Sequence, residues 1–284
     1  MTGLADLTRI GLRWQPSGRA GFTGPLLALA DDLDETFRSL AARWNAAEER
    51  HPAALPADLL DRLGYLESFP QQATFPVGLA PVEDDLGHRV AADGSVVLTR
   101  QAPVTEVLTP AACYHLYAAH EGETLTGPLY LTTRNTCFRQ ERRCEPLRRQ
   151  RSFTMREIVC LGAEAETAAF LSQARQWADD LARLMGLPVS WAPATDPFFR
   201  PRTSPGYLMQ RLQPSKHELL YADGLALGSV NLHRTHFGEA FGITRDGAPV
   251  SSACVAFGLE RWMYAVADRH GADPANWPAR EAAA

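Results

Sequence analysis

Two periods run through the apolar positions of this chain. Behind Pro25, Leu26, Leu29, Leu33, Phe37, Leu40 and Trp44 recur at helical spacing, so residues 25–46 read as one amphipathic helix facing a core or a second subunit. A shorter helix follows in LPADLLDRLGYL. Another spans about 163–185, with Phe170, Ala174, Trp177, Leu181 and Leu184 on one face and Gly186 as its stop. Strand-like segments begin at Pro128 (PLYLTTRNTCFRQE) and Arg151 (RSFTMREIVCL), joined by the polar loop ERRCEPLRRQ. Three short strands are expected next, GYLMQRLQ, KHELLYA and LALGSVNLH, the last two turning at Asp223-Gly224. A strand and then a helix close the pattern in SSACVAFGLERWMYAVADRHG. Residues 67–110 mix turns, at Phe69-Pro70 and Phe75-Pro76, with a short strand around Ser95–Thr99. Successive strands with short turns, flanked by helices, predict an α+β fold built on an antiparallel sheet. There is no internal repeat, and the one low-complexity stretch is the terminal EAAA.

Composition narrows the class. Of 284 residues, 45% are hydrophobic and 21% charged, which excludes a disordered chain. No apolar run approaches the ~20 residues of a membrane span, and the N-terminus lacks the pattern of a signal peptide. Five unevenly spaced cysteines fit a reducing cytoplasm better than a disulfide framework. A net charge of −5 argues against a general nucleic-acid binder. Charge is nevertheless uneven. Seven arginines between Arg134 and Arg151 face only Glu141 and Glu145, a reversal of sign that suits phosphates or an acidic partner. Of the 28 basic residues a single one, Lys216, is lysine.

Neither a Rossmann glycine fingerprint, a P-loop nor a G-x-S-x-G elbow occurs. What does occur is Phe138-Arg139-Gln140-Glu141, a basic loop, then Phe153-Thr154-Met155-Arg156-Glu157, and further on Gly258-Leu259-Glu260-Arg261 opening a helix. These segments, in this order, resemble motifs 2 and 3 of class II aminoacyl-tRNA synthetases. The chemistry suits the residue types, because charge that develops on an α-phosphate is best met by a preorganised guanidinium fork. The resemblance implies Arg139 at the α-phosphate, Arg261 at the γ-phosphate, Glu141 on the adenine amino group and Phe153 stacked on the adenine ring. It also implies a homodimer and an ATP-bound Mg²⁺. Other members of the class keep a carboxylate for that ion on the strand before motif 3. Here LALGSVNLH carries none, and Glu218 is the available substitute.

The chain resembles amino acid–[carrier protein] ligases, truncated homologues of atypical seryl-tRNA synthetases. On this resemblance residues 1–284 form a single catalytic domain with no separate tRNA-binding domain. The implied activity joins a small amino acid, glycine or alanine first, to the phosphopantetheine thiol of an acyl carrier protein by way of an aminoacyl-adenylate. The implied cofactor is Zn²⁺ on Cys113, Glu157 and Cys254, with a fourth position open for a substrate amine. Lys216, Glu218 and Asn231 are candidate substrate contacts, the first two alternating onto one face if KHELL is extended. The arginine loop and the 163–185 helix are candidate docking surfaces for the carrier. Reversing Arg148 and Arg149 is expected to weaken transfer and spare adenylation. Two other readings fit the same residues: a minimal tRNA-aminoacylating enzyme, and a non-catalytic regulator binding amino acid or nucleotide. The missing helical arm and the acidic net charge argue against tRNA. The intact Arg139, Glu141 and Arg261 argue against loss of catalysis.

Overall fold

The computed structural model describes residues 2–278, and the EAAA stretch at 281–284 lies outside them. At its centre is a seven-stranded sheet: β1 (Ala47–Glu49), β2 (Leu129–Phe138), β3 (Ser152–Gly162), β4 (Val189–Pro193), β5 (Lys216–Tyr221), β6 (Leu225–Arg234) and β7 (Ser251–Gly258). The spatial order is β4-β5-β6-β7-β3-β2-β1. Every pairing is antiparallel except the edge strand β1, which runs parallel to β2, so the expected antiparallel sheet is mixed at that edge. β2 and β3 pair over ten residues, from Leu129↔Leu161 to Phe138↔Ser152, and the basic loop connects them as expected.

Alternation along each strand gives the sheet two different faces. One face carries Ile158, Cys160, Val230, Val255 and Phe257 into the main core, beneath helices α1 (Gly24–Ala42), α3 (Glu164–Leu184) and α6 (Leu259–His270). Helix α1 starts with Thr23 in an extended conformation and Pro25 in the first turn, where its missing N–H costs nothing. Its stripe of Leu26, Leu33, Phe37 and Leu40 is buried in this core, so the stripe is not a subunit interface. Phe37 stacks on Phe257 at 4.3 Å between ring centroids. On the same face Arg156, only 1% exposed, donates Nε to Asp34 of α1 at 2.6 Å and Nη2 to the same carboxylate at 3.0 Å. Glu48 of β1 accepts a further bond at 3.1 Å. These contacts bolt α1 and the edge strand to the middle of β3.

The other face is apolar only at one end. There Val159, Leu161 and Cys254 pack against Leu55–Tyr65, helix α2 (Tyr114–Ala119) and helix α5 (His236–Phe241). The rest of that face is polar and open. The helix expected at LPADLLDRLGYL breaks in two, Ala57–Arg62 and Tyr65–Ser68, because Gly64 turns at φ +65°. The 95–99 strand is present as Val96–Leu98, paired with His88–Val90.

One expected element is corrected. GYLMQRLQ is not a strand but helix α4 (Pro205–Leu212). Its start is signalled by Ser204, whose Oγ accepts the Tyr207 N–H at 3.3 Å, and by Pro205 in the first turn. The strand beside β5 is β4 instead, with Trp191 opposite Leu219. No helix among the described residues is long and apolar enough to cross a membrane.

Candidate active site

Register places the candidate side chains. Lys216 of β5 lies opposite Asn231 of β6, and Asn231 opposite Cys254 of β7. One rung along, Glu218 faces Ser229, Ser229 faces Ala256, and Ala256 faces Glu157 of β3. Residues on neighbouring rungs with even spacing share a sheet face. Four strands therefore deliver Lys216, Glu218, Asn231, Cys254 and Glu157 to one surface.

Cys113 joins them from the start of α2. Its Sγ, the Cys254 Sγ and a Glu157 carboxylate oxygen lie within 4.8 Å of one another, and all three residues are buried. The Ala112 N–H donates to Glu157 Oε1 at 2.8 Å, which fixes the carboxylate. Asn231 Nδ2 approaches Cys254 Sγ at 3.3 Å, and His233 Nε2 stands 3.8 Å from the same sulfur. Tyr117 Oη in turn reaches His233 Nδ1 at 3.3 Å. Cys254 is held well below the ordinary thiol range by the Cys113 thiol that donates to it, with His233 and Asn231 behind, and Cys113 is pushed up correspondingly. Burial, with Cys254 beside it, lifts Glu157 to about 7. Three acidic groups buried together are costly unless a cation accompanies them. Two sulfurs and one carboxylate are a donor set that zinc accepts. The residues present therefore fit the metal.

This cluster lines a cavity of about 590 Å³. A second cavity, about 100 Å³, adjoins it, and Arg139, Met155, Lys216 and Ser229 line both. The smaller one holds Glu141, Phe153, Glu218 and Arg261. Arg139 lies over the Phe153 ring, its Cζ 5.1 Å from the centroid, and its Nε donates to the Pro110 carbonyl at 3.0 Å. Burial, then the neighbouring Arg139 and Arg149, push Arg261 down to about 10. Cations crowded enough to perturb one another in this way form a receptor for a polyanion. No acid projects from β6, in agreement with the sequence. Of the acids at this cavity, Glu260 is occupied by the Thr154 N–H at 2.8 and 2.9 Å, which leaves Glu141 and Glu218.

All ten sequence-derived site residues thus line these two adjoining cavities. The reading placed Glu218 beside Lys216 but missed Asp196 as its partner. The Lys216 Nζ meets Asp196 at 2.8 Å and Glu218 at 3.3 Å. Burial opposes ionisation of Asp196, yet Lys216 and Gln210 hold it below the ordinary carboxylate range. Gln210 projects from α4, the helix misread as a strand, so this partnership had no sequence signal. His115 is not at the cluster. It stacks on His51 at 5.2 Å.

The basic loop is less free than its charge suggests. Arg149 pairs with Glu141 at 2.9 Å, Arg148 pairs with Asp223 at 2.8 Å, and both line the smaller cavity. Reversing them would alter the lining of the smaller cavity as well as the loop's surface charge. Arg142 and Arg143 are exposed and line neither cavity.

Comparison with known proteins bears on the family and the fold. The tRNA synthetase class II core domain (G, H, P, S and T) matches residues 104–270. Amino acid–[acyl-carrier-protein] ligase 1 of Bradyrhizobium diazoefficiens is 35% identical over 241 residues, covering 81% of this chain and 74% of its own. Ligase 2 of the same organism is 34% identical over 264 residues, covering 88% and 79%. The seryl-tRNA synthetase of M. kandleri, solved with A. aeolicus tRNASec, superposes with a TM-score of 0.79 at 18% identity. That alignment takes in 95% of this chain but only 57% of the synthetase chain. With its fold, its motif residues and its relatives in agreement, the chain belongs to the class II tRNA synthetase core family, among the amino acid–[acyl-carrier-protein] ligases.

Proposed function

We propose that the protein activates a small amino acid with ATP and passes it to the phosphopantetheine thiol of an acyl carrier protein. The observation that carries this reading is the adjacency of two receptors. A buried Cys113–Glu157–Cys254 cluster suited to a metal and an amine opens directly onto an arginine-lined pocket suited to a triphosphate. In the first step a carboxylate oxygen of the amino acid attacks the α-phosphorus and pyrophosphate leaves. Arg139 neutralises charge as it develops there, and Arg261 holds the terminal phosphate. Glu141 accepts from the adenine amino group and Phe153 stacks on the base. Glu218 is the carboxylate placed to meet a nucleotide-bound Mg²⁺. In the second step the thiolate attacks the adenylate carbonyl and AMP leaves.

Bound by Cys113, Glu157 and Cys254, zinc would supply one open position for an unprotonated α-amino group, which favours amino over hydroxy acids. Lys216 and Asn231 bound the space beyond. Glycine or alanine is the first choice of substrate, on the strength of the family. The larger cavity exceeds what either fills, which suits a pantetheine arm entering beside the adenylate. In this reading the chain acts in the cytoplasm as one catalytic domain and pairs as a homodimer.

ATP–pyrophosphate exchange over a panel of amino acids, followed by acceptor assays, tests the reaction. Exchange with glycine or alanine, and labelling of holo but not apo carrier protein, is expected. Labelling of tRNA instead would move the protein to the minimal synthetases, and no exchange at all would favour a regulator. Metal analysis tests the cluster separately. The purified protein is expected to hold about one zinc per chain, and Cys254→Ser to lose most of it. Metal-free, folded wild-type protein would refute the assignment.

A further inference from the structure

Arg261 is oriented by carbonyls rather than by acids. Its Nε donates to the Arg148 carbonyl at 3.0 Å and its Nη1 to the Ala226 carbonyl at 2.9 Å. These carbonyls belong to separate segments, the basic loop and the start of β6. The Arg148 side chain ties the two together. Its Nη2 meets Asp223, in the turn between β5 and β6, at 2.8 Å. Its Nε meets Glu145 of its own loop at 3.2 Å. Its guanidinium lies over the Tyr264 ring, with Cζ 4.8 Å from the centroid. Tyr264 follows Arg261 by three residues on α6, so the two share a helical face. Arg148 therefore grips one turn of α6 with its side chain and the turn before with its carbonyl.

The backbone beside it is set with equal care. Leu147 is 1% exposed and adopts φ +58°. A leucine holds that left-handed conformation only where its surroundings impose it. Burial of the Leu147 side chain and capture of the Arg148 side chain together fix where the carbonyl between the loop and Arg261 points.

We propose that Arg148, clamped by Asp223 and Tyr264, is a positioning residue that latches the basic loop to the β5–β6 turn and so aims Arg261 at the nucleotide. The role rests on the adenylation proposed above. Asp223 lines neither cavity, and its ion pair is with Arg148.

The test compares Asp223→Ala, Asp223→Glu and Arg148→Met by ATP calorimetry and by exchange kinetics. Asp223→Ala is expected to raise the Kd and KM for ATP by roughly fivefold or more, since a hydrogen bond to a charged group is lost. The amino acid KM and the melting temperature should stay put, and Asp223→Glu should recover most of the loss. In an Arg148→Met background, Asp223→Ala should add nothing. Unchanged ATP affinity in Asp223→Ala, or a full effect persisting without Arg148, would overturn the latch while adenylation stands. Wild-type protein that neither binds ATP nor exchanges would overturn the adenylation reading, and the latch with it.

Discussion

Arg139→Met is expected to slow adenylation by about 10²–10³-fold, the loss typical when one preorganised donor to a developing anion is removed. Methionine keeps much of the side-chain volume and the contact with Phe153, so only the charge and the fork disappear. Arg139 is half-buried and, among the described residues, its side chain donates one hydrogen bond, to the Pro110 carbonyl, so the fold should persist with a nearly unchanged melting temperature. The split between ATP and amino acid is informative. Because Arg139 lines both cavities but belongs to neither the Cys113–Glu157–Cys254 cluster nor Lys216's ion pairs, amino acid affinity should change far less than the exchange rate. Arg139→Lys should recover little, since an ammonium does not reproduce a bidentate fork. Exchange within threefold of wild type would remove Arg139 from the chemistry.

The second large effect is on stability. Asp34→Ala is expected to cost about 3–5 kcal/mol, the usual cost of leaving a buried charge without its partner. Arg156 would keep Glu48 at 3.1 Å and Thr132 Oγ1 at 3.3 Å but lose both bonds to Asp34. Arg134, which also reaches Asp34 at 3.1 Å, is exposed enough to turn to water. Replacing both partners, Arg156→Met with Asp34→Leu, should cost less than the single Asp34→Ala change, because no charge is then stranded. Urea unfolding of the three proteins measures this. A loss below about 1 kcal/mol in Asp34→Ala would show that water or Glu48 already screens Arg156.

The elements with a long, clean period were readable from the chain alone. Residues 25–46 and 163–185 became α1 and α3 with ends shifted by only a few residues, because each carries an apolar stripe over several turns. The β2–β3 pair was equally plain. Short elements were not. GYLMQRLQ has enough apolar residues for a strand, and its helix is announced only by Ser204 and Pro205 outside the apolar run. β4 escaped because VSWAP ends in proline and gains its identity from pairing with β5. The same distinction governs the site. Arg139, Glu141 and Arg261 sit in local motifs that can be seen in a line of letters. The Cys113–Glu157–Cys254 cluster depends on strand register and on where α2 begins, and nothing in the spacing encodes that. It could be expected only through resemblance to a family. The charge of the basic loop was legible, but its internal pairing was not, since Asp223 and Tyr264 come from distant segments.

The rungs that carry Lys216, Asn231 and Cys254 also constrain how this protein can vary over time. β6 keeps strict register only between two irregularities, at Leu219/Leu220 against β5 and at Leu232/Arg234 against β7. Ser229 and Asn231 lie in the regular stretch between them. Inserting or deleting one residue there would turn both side chains towards α3 and present their apolar neighbours to the cavity. Lineages of this chain should therefore accept changes of side chain along β6 far more readily than changes of length. Gains and losses of residues should gather instead in the unpaired parts of the 67–110 segment and at the exposed Arg142 and Arg143, where no rung of the central sheet is displaced.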